Sequence, residues 1–411
     1  MTYLKRGDRC RPFFLAQALW IVITLLSACC AEAQAAHGPT LRIATFNASL
    51  NRSTAGQFKF DLSTPFNTQA RAIAQIIQRV RPDVLLINEF DYDPQGISDV
   101  LFAKNYLAIA QGDTEPINYK EHYSAAVNTG VPSGLDLNND GRVGGANDAL
   151  GFGLFPGQYG LIVYSNLLID HNTVRSFKNF KWSAMPGAVI PKDYYSALAL
   201  QELPLSSKSH WDLPLKLETS AGTQILHFLV SHPTPPSFDG PEDRNGRRNH
   251  DEIRLWADYI DPKRAGYLID DQGKQGGLAS DDLFVIAGDM NADPFDGGSF
   301  KYAIRQLLDH PRVNREGAFG TFTPSSQGGT QFSAQQGGAN AMHQGLPKFD
   351  TSDFNDRGVD APGNLRVDYV LPSTQITICD SGVYWPKNDE KDVSDHHLVW
   401  VDIALAGGTC L

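Results

Sequence analysis

Eight polar residues stand in or just past apolar, strand-like runs: Asn47, Glu89, His232, Asp289, Asn291, Asp368, Asp395 and His396. Glu89 closes Val84-Leu85-Leu86-Ile87-Asn88, and a carboxylate beside so apolar a run needs a cation or several donors. Asp289 and Asn291 follow Leu283 to Ala287 at a spacing of two, which puts both on one strand face. Asp368 lies inside Arg366-Val367-Asp368-Tyr369-Val370-Leu371, and Ser394-Asp395-His396 precedes the last apolar run. Each has a plain alternative when taken alone. Asn47 ends Leu41 to Phe46 as a turn residue would, His232 can be a capped strand-end histidine, and one Ser-Asp-His is unremarkable. Together, carboxylates, amides and imidazoles of this kind can hold a hard cation and move protons.

Such residues cooperate only if the chain brings them to one place. Beta-rich runs recur at Leu41–Phe46, Asp83–Phe90, Gly160–Ser165, Ile225–Ser231, Leu283–Ala287, Arg366–Leu371 and His397–Ala404, with no internal repeat. Between Asn67 and Val80, Ala70, Ile73, Ile76, Ile77 and Val80 share a helical face, and Pro82 ends it. Strands that each end in Asn, Glu, Asp or His can converge at one sheet edge and form a cleft. The class expected is mixed α/β. Segments 111–160, 178–212 and 327–363, rich in Gly, Pro, Asn or Ser, read as surface insertions. No linker divides two cores, so residues 37–411 are expected to form one domain.

In order and content these pieces resemble the endonuclease/exonuclease/phosphatase superfamily, whose members are deoxyribonuclease I-like. The matching pieces are the strand ending in Asn47, Glu89, Gly288-Asp289-Met290-Asn291, Arg366-Val367-Asp368-Tyr369 and Ser394-Asp395-His396. The resemblance implies a four-layer α/β sandwich: two packed mixed β-sheets flanked by helices. It implies a phosphoric ester hydrolase in which Glu89 binds Mg²⁺ or Mn²⁺, with Asn47 beside it and Asp395 nearby. It casts Asp289 as positioning or deprotonating the attacking water, and Asn291 as holding phosphate or water. His396 would pair with Asp368 and stay cationic near the phosphate, while His232 would donate to the phosphate or leaving group. Departures from the pattern are Asn88 in place of a glutamine, Pro233-Thr234-Pro235-Pro236 after the histidine, and Asn166 where a basic residue is common.

Lys5, Arg6, Arg9 and Arg11 precede an apolar run from Phe13 to Ala28, followed by small residues through Ala35, the pattern of a signal peptide over residues 1–36. The run is short of the roughly 20 apolar residues a membrane span needs, the competing reading. Leu26-Ser27-Ala28-Cys29 offers a lipoprotein alternative through Cys29, so the destinations are secreted, periplasmic or outer-membrane anchored. Cys379 and Cys410 then remain for the mature chain and are expected to pair.

A net charge of −11 disfavours bulk attraction to polyanions and favours small phosphorylated metabolites over nucleic acid. Phospholipid headgroups stay among the expected substrates, weakened because no exposed amphipathic helix or long apolar hairpin stands out for membrane insertion. A monomer without a protein partner is expected. Asp136, Asn138 and Asp140 copy the start of a calcium loop, whose last position is Asn147, or else form a Gly/Asn-rich turn. Arg244, Arg247, Arg248 and Arg254, around a helix expected from Asn249, either grip phosphate or bridge to Asp243, Asp251 and Glu252. Tyr384-Trp385-Pro386 is expected to pack near the cysteine bridge. The rival function is a calcium-stabilised secreted binding module on the same fold.

Overall fold

The computed structural model describes residues 40–219, 222–358, 360–386, 393–404 and 410; the leader and Cys29 lie outside them. Two β-sheets are built from twelve strands among the described residues. The first has the order β11 (Thr377–Tyr384), β12 (Leu398–Ala404), β1 (Thr40–Asn47), β2 (Val84–Asn88), β4 (Leu161–Ser165), β3 (Glu121–Tyr123). The second runs β10 (Asp368–Pro372), β9 (Leu283–Asp289), β8 (Gly222–Ser231), β7 (His210–Thr219), β5 (Leu168–Ile169), with β6 (Arg175–Ser176) also on β7. Each sheet is mixed. β1–β2 and β8–β9 are parallel, and the other pairs antiparallel.

Three hydrophobic clusters separate four layers. The middle one holds Ile43, Leu86 and Val163 of the first sheet against Leu213, Phe228 and Val285 of the second. Outside the first sheet, α1 (Thr68–Val80) lays Ala70, Ile73, Ile77 and Val80 on Ala44, Phe46, Leu85 and Ile87. The Asn67 side chain caps α1 by accepting from Ala70 N, and Arg81 closes it with a left-handed φ of 54° just before Pro82. Outside the second sheet, α2 (Arg244–Tyr259) packs Ile253, Leu255 and Trp256 on Leu229, Phe284 and Ile286. The four-layer sandwich expected from the sequence is the fold observed.

Some boundaries differ. Segment 178–212 ends inside β7, where Trp211, Leu213, Leu215 and Leu217 are buried. Segment 111–160 contains β3, and 327–363 contains a third long helix, Gln327–Gln336. β11 lies between Leu371 and His397, where no strand was expected. Helix α2 starts at Arg244, five residues before Asn249, with Asp243 at its N-cap in a left-handed conformation and making no side-chain cap bond. A start without a capping side chain leaves no mark in the sequence.

Register then places the polar residues. In the parallel pair β1–β2, Asn47 lies beside Asn88, so Glu89 begins just past the same edge. In β8–β9, Val230 lies beside Ala287, and two residues further along each strand are His232 and Asp289. β10 runs antiparallel with Asp368 directly across from Asp289. Gly288 has a φ of 151°, and a side chain there would run into Ser231 O, so the strands can close up at this point only with glycine.

Cys379 of β11 is bonded to Cys410, with Cα atoms 5.2 Å apart and 31 residues between them in sequence. Trp385, buried nearby in the chain, packs on Phe332 and His397. Replacing Cys410 with Ser is expected to lower the unfolding free energy by about 3–4 kcal/mol in the chain-entropy account. Urea denaturation of the Cys410→Ser protein reads this directly, and an unchanged midpoint would show that the bridge adds no stability.

Candidate active site

Asp289 is the point on which the site converges. It is 1% exposed, and its Oδ2 accepts from Asn47 Nδ2 at 3.0 Å, faces His232 Nε2 at 3.3 Å and lies 3.7 Å from His396 Nε2. Its Oδ1 accepts the Asn291 amide at 2.9 Å. Burial pushes this carboxyl up, but His396, His232 and Asn47 outweigh burial and hold it well below the usual carboxylate range.

His396 sits between two carboxylates. Its Nδ1 meets Asp368 Oδ2 at 2.9 Å while Nε2 turns to Asp289, and its backbone N donates to Ser394 Oγ at 3.1 Å. Thr351 Oγ1 donates to the same Asp368 oxygen at 2.8 Å, and the Phe354 ring packs edge-on against the imidazole. Burial opposes charge on His396, but Asp368 and Asp289 prevail and lift it to about 10, so it is an imidazolium at neutral pH. His232 differs. Burial, and then Lys208, pull its pKa down against Asp289, which fits a neutral ring donating from Nε2. Its Nδ1 is buried and has no hydrogen-bond partner among the described residues.

Glu89 lies at the rim of this group. Asn47 Nδ2 donates to its Oε1 at 3.2 Å and Asn51 Nδ2 to its Oε2 at 2.7 Å. Two neutral amide donors leave the carboxylate oxygens with further lone pairs. Together with the Asn47 carbonyl this is the donor chemistry a hard divalent cation takes, and Glu89 with Asn47 fits one. A second set, Asp289, Asp368 and His396, also brings three ligand atoms within 4.8 Å of one another. There both imidazole nitrogens already face carboxylates, so the protonated ring supplies the positive charge. Asp395 is exposed; its backbone carbonyl accepts from Asp353 N, its side chain makes no hydrogen bond to these groups among the described residues, and its charge adds to those that raise His396. The structure thus draws seven of the eight sequence candidates together and leaves Asp395 at their edge.

Three residues here carried no readable motif. Asn51 orients Glu89, Thr351 orients Asp368 from a segment that composition marks as an insertion, and Lys208 is a buried cation close to Glu89, Asp289 and Glu252. Burial pulls the Lys208 pKa down while those carboxylates resist. Asn88, the shortened amide, is wholly buried and bridges the sheets. Its Oδ1 accepts from Thr45 Oγ1 and the Asp289 amide, and its Nδ2 donates to Ser231 O.

The arginines near α2 resolve as scaffolding. Arg248 donates to the carbonyls of Leu205, Leu150 and Pro204, Arg244 pairs with Glu242, and Arg254 pairs with Asp258. Asp251 and Glu252 instead accept from Trp182 Nε1, Val189 N, Ser207 N and Thr234 N, tying segment 178–212 and the turn after His232 to α2. In the Asp136 loop, Asp136 accepts the Asp140 and Gly141 amides, Asn138 Nδ2 donates to Asp140, and Asp140 accepts Arg142 N. These bonds are those of a tight turn.

The sequence profile of the "Endonuclease/Exonuclease/phosphatase family" matches residues 44–396. Among solved structures, the chain is similar to an endonuclease/exonuclease/phosphatase from Beutenbergia cavernae, at 16% identity and a TM-score of 0.47, covering 90% of this chain and 72% of that one. It is also similar to sphingomyelinase C from Streptomyces griseocarneus, at 15% identity and a TM-score of 0.42, covering 89% and 99% respectively. The third is a beta toxin of Staphylococcus aureus, at 12% identity and 0.43, covering 88% and 99%. No curated protein matches the chain.

Exchanging Asp368 for Asn removes the larger support of the His396 charge while keeping the side chain's shape. The His396 titration followed by NMR is expected near 10 in the parent and lower by more than about one unit in Asp368→Asn. Because the folded pKa is raised, the stability His396 contributes is complete below about pH 6.5 and fades as pH climbs toward the folded value. An unchanged His396 midpoint in the variant would break the assignment.

Proposed function

Because the chain belongs to the Endonuclease/Exonuclease/phosphatase family, we propose that it hydrolyses phosphate esters with Mg²⁺ or Mn²⁺ held at Glu89 and Asn47. The observation that carries this reading is the convergence of Asn47, His232 and His396 on the buried Asp289 carboxylate. When bound, the metal would neutralise charge on a phosphate oxygen as a Lewis acid. The chain's own residues account for the remainder. Asp289, kept ionised, orients the attacking water; held so low it is a weak base, and positioning is the larger part of its work. His396, kept cationic by Asp368, stabilises the negative charge that gathers on the phosphoryl oxygens. His232 presents Nε2 beside the same Asp289 oxygen as His396, and Asn291, whose Nδ2 reaches Pro233 O at 3.1 Å, fixes the turn that carries His232.

A negative chain disfavours polyanionic substrates, and small phosphate esters suit it better than nucleic acid. Export is proposed from the leader-like first 36 residues, and the Cys379–Cys410 bridge supports an oxidising destination.

The purified chain is expected to cleave bis-p-nitrophenyl phosphate or p-nitrophenyl phosphate with Mg²⁺ or Mn²⁺ and to stop on adding EDTA. Glu89→Gln and His396→Ala should each lower kcat by about 100-fold or more. Full activity in either variant would sink the site assignment. Calcium-dependent ligand binding with no turnover of DNA, sphingomyelin or inositol phosphates would instead establish the binding-module alternative.

A further inference from the structure

In the segment before β10 lies a carboxyl group with nothing on the protein to hold it. Asp350 is 6% exposed. Among the described residues its side chain accepts no hydrogen bond and has no cation within ion-pair distance. It lines a cavity of about 210 Å³ walled by Phe295, Phe319 and Phe349, with Leu346 and Arg366 also in contact. Phe295 and Leu346 are 40% and 59% exposed, so the cavity has an apolar mouth open to solvent.

The neighbouring polar groups are already engaged. Asp293 accepts the amides of Phe295, Asp296 and Arg366, and Asp296 accepts those of Gln344 and Gly345. The Arg366 guanidinium donates to the carbonyls of Ala318 and Gly317 and lies over the Tyr369 ring. Among the described residues Asp350 is the ionisable group left facing the space without a hydrogen-bond donor.

We infer that this cavity binds a small organic ammonium ion, with Asp350 as its counter-charge and the phenylalanine rings as its wall. A single positive charge matches the one carboxylate here that has neither a hydrogen bond nor an ion pair among the described residues. The cations around the cavity have other partners: Arg366 on the Ala318 and Gly317 carbonyls, Arg305 with Asp309 and over Phe295 and Phe319 at 5.0 and 5.2 Å, and Lys348 over Phe349 at 4.6 Å. A chelated divalent metal needs several ligand atoms close together, and among the described residues the one acidic or imidazole group of that kind is Asp289, Asp368 and His396. Aromatic walls with a lone carboxylate suit an alkylammonium, whose charge the ring faces and edges of the cavity tolerate and whose carbon shell they bury.

Without such a ligand, burial pushes the Asp350 carboxyl up to about 8, with Asp293 and Asp296 adding to the shift, so the group is largely neutral near pH 7. An entering ammonium supplies the missing cation and restores the ionised form. The next residue, Thr351, donates to Asp368 Oδ2 and accepts the amides of Val367 and Asp368, so the cavity abuts the support of His396. The inference stands apart from the phosphate-ester reading and does not need it.

Isothermal titration calorimetry on the full chain tests it, with tetramethylammonium as the probe, tert-butanol as its neutral counterpart and Mg²⁺ as the competing cation. Saturable tetramethylammonium binding is expected, at least about tenfold tighter than any tert-butanol binding, and weakened about tenfold or more in Asp350→Asn. Leu346→Lys, at the exposed rim where folding is not at stake, should weaken it likewise by placing a tethered ammonium at the mouth. The inference is overturned if tetramethylammonium binds no better than tert-butanol, if both variants bind it as the parent does, or if Mg²⁺ displaces it competitively.

Discussion

A carboxylate cannot stay ionised inside a protein unless its charge is met, and Asp289 is where this protein accepts that constraint. At 1% exposure its oxygens face an amide from the first sheet, a histidine just past β8 and a histidine just before β12. Remove any of these and the desolvation of the carboxylate is no longer offset. The position of each of these elements at the sheet edge is therefore tied to the same charge. His396 in turn needs Asp368, and Asp368 needs Thr351, so the requirement runs outward through two further residues.

Satisfying that charge requires the two sheets to meet in one register. The parallel pairs β1–β2 and β8–β9 end at the same side of the sandwich, which is where open α/β sheets assemble their sites. Asn88 locks the relation between them, since one buried amide touches Thr45 in the first sheet and the Ser231 carbonyl and Asp289 amide in the second. What looks in sequence like a loosened motif is an amide that still reaches both sheets.

How much could be read in advance follows from how local each cause is. The α1 period, Asn67 as its cap and Pro82 beyond it are local, and the helix lies where they put it. Apolar runs ending in Asn47, Glu89, His232 and Asp289 are local too. By contrast β7 contains Asp212 and Pro214, which break the run to the eye. Asp212 is buried there because Tyr259 OH and His227 Nδ1 reach it from α2 and β8. Lys208, Asn51 and Thr351 are likewise defined only by partners far along the chain. Arginines near α2 suggested phosphate because Arg types do so in general, whereas carbonyls from segments 150 and 204–205 claim Arg248.

Two of the candidate site residues also sit in left-handed backbone. Glu89 and Asn291 have φ of 60° and 51°, a region L-residues visit at a cost of about 1–3 kcal/mol when nothing local favours it. Each is held there from more than one side: Glu89 by the amides of Asn47 and Asn51, Asn291 by Asp289 and the Pro233 carbonyl. In both cases the strained residue directly follows, or lies two past, the last residue of a buried strand. The sheet fixes where the chain leaves it, and bonds from Asn47, Asn51, Asp289 and Pro233 hold the left-handed step just beyond. Rigid strands and strained residues past their ends are therefore parts of one arrangement, in which Glu89 and Asp289 share Asn47 as a donor and Asn291 stays against Asp289.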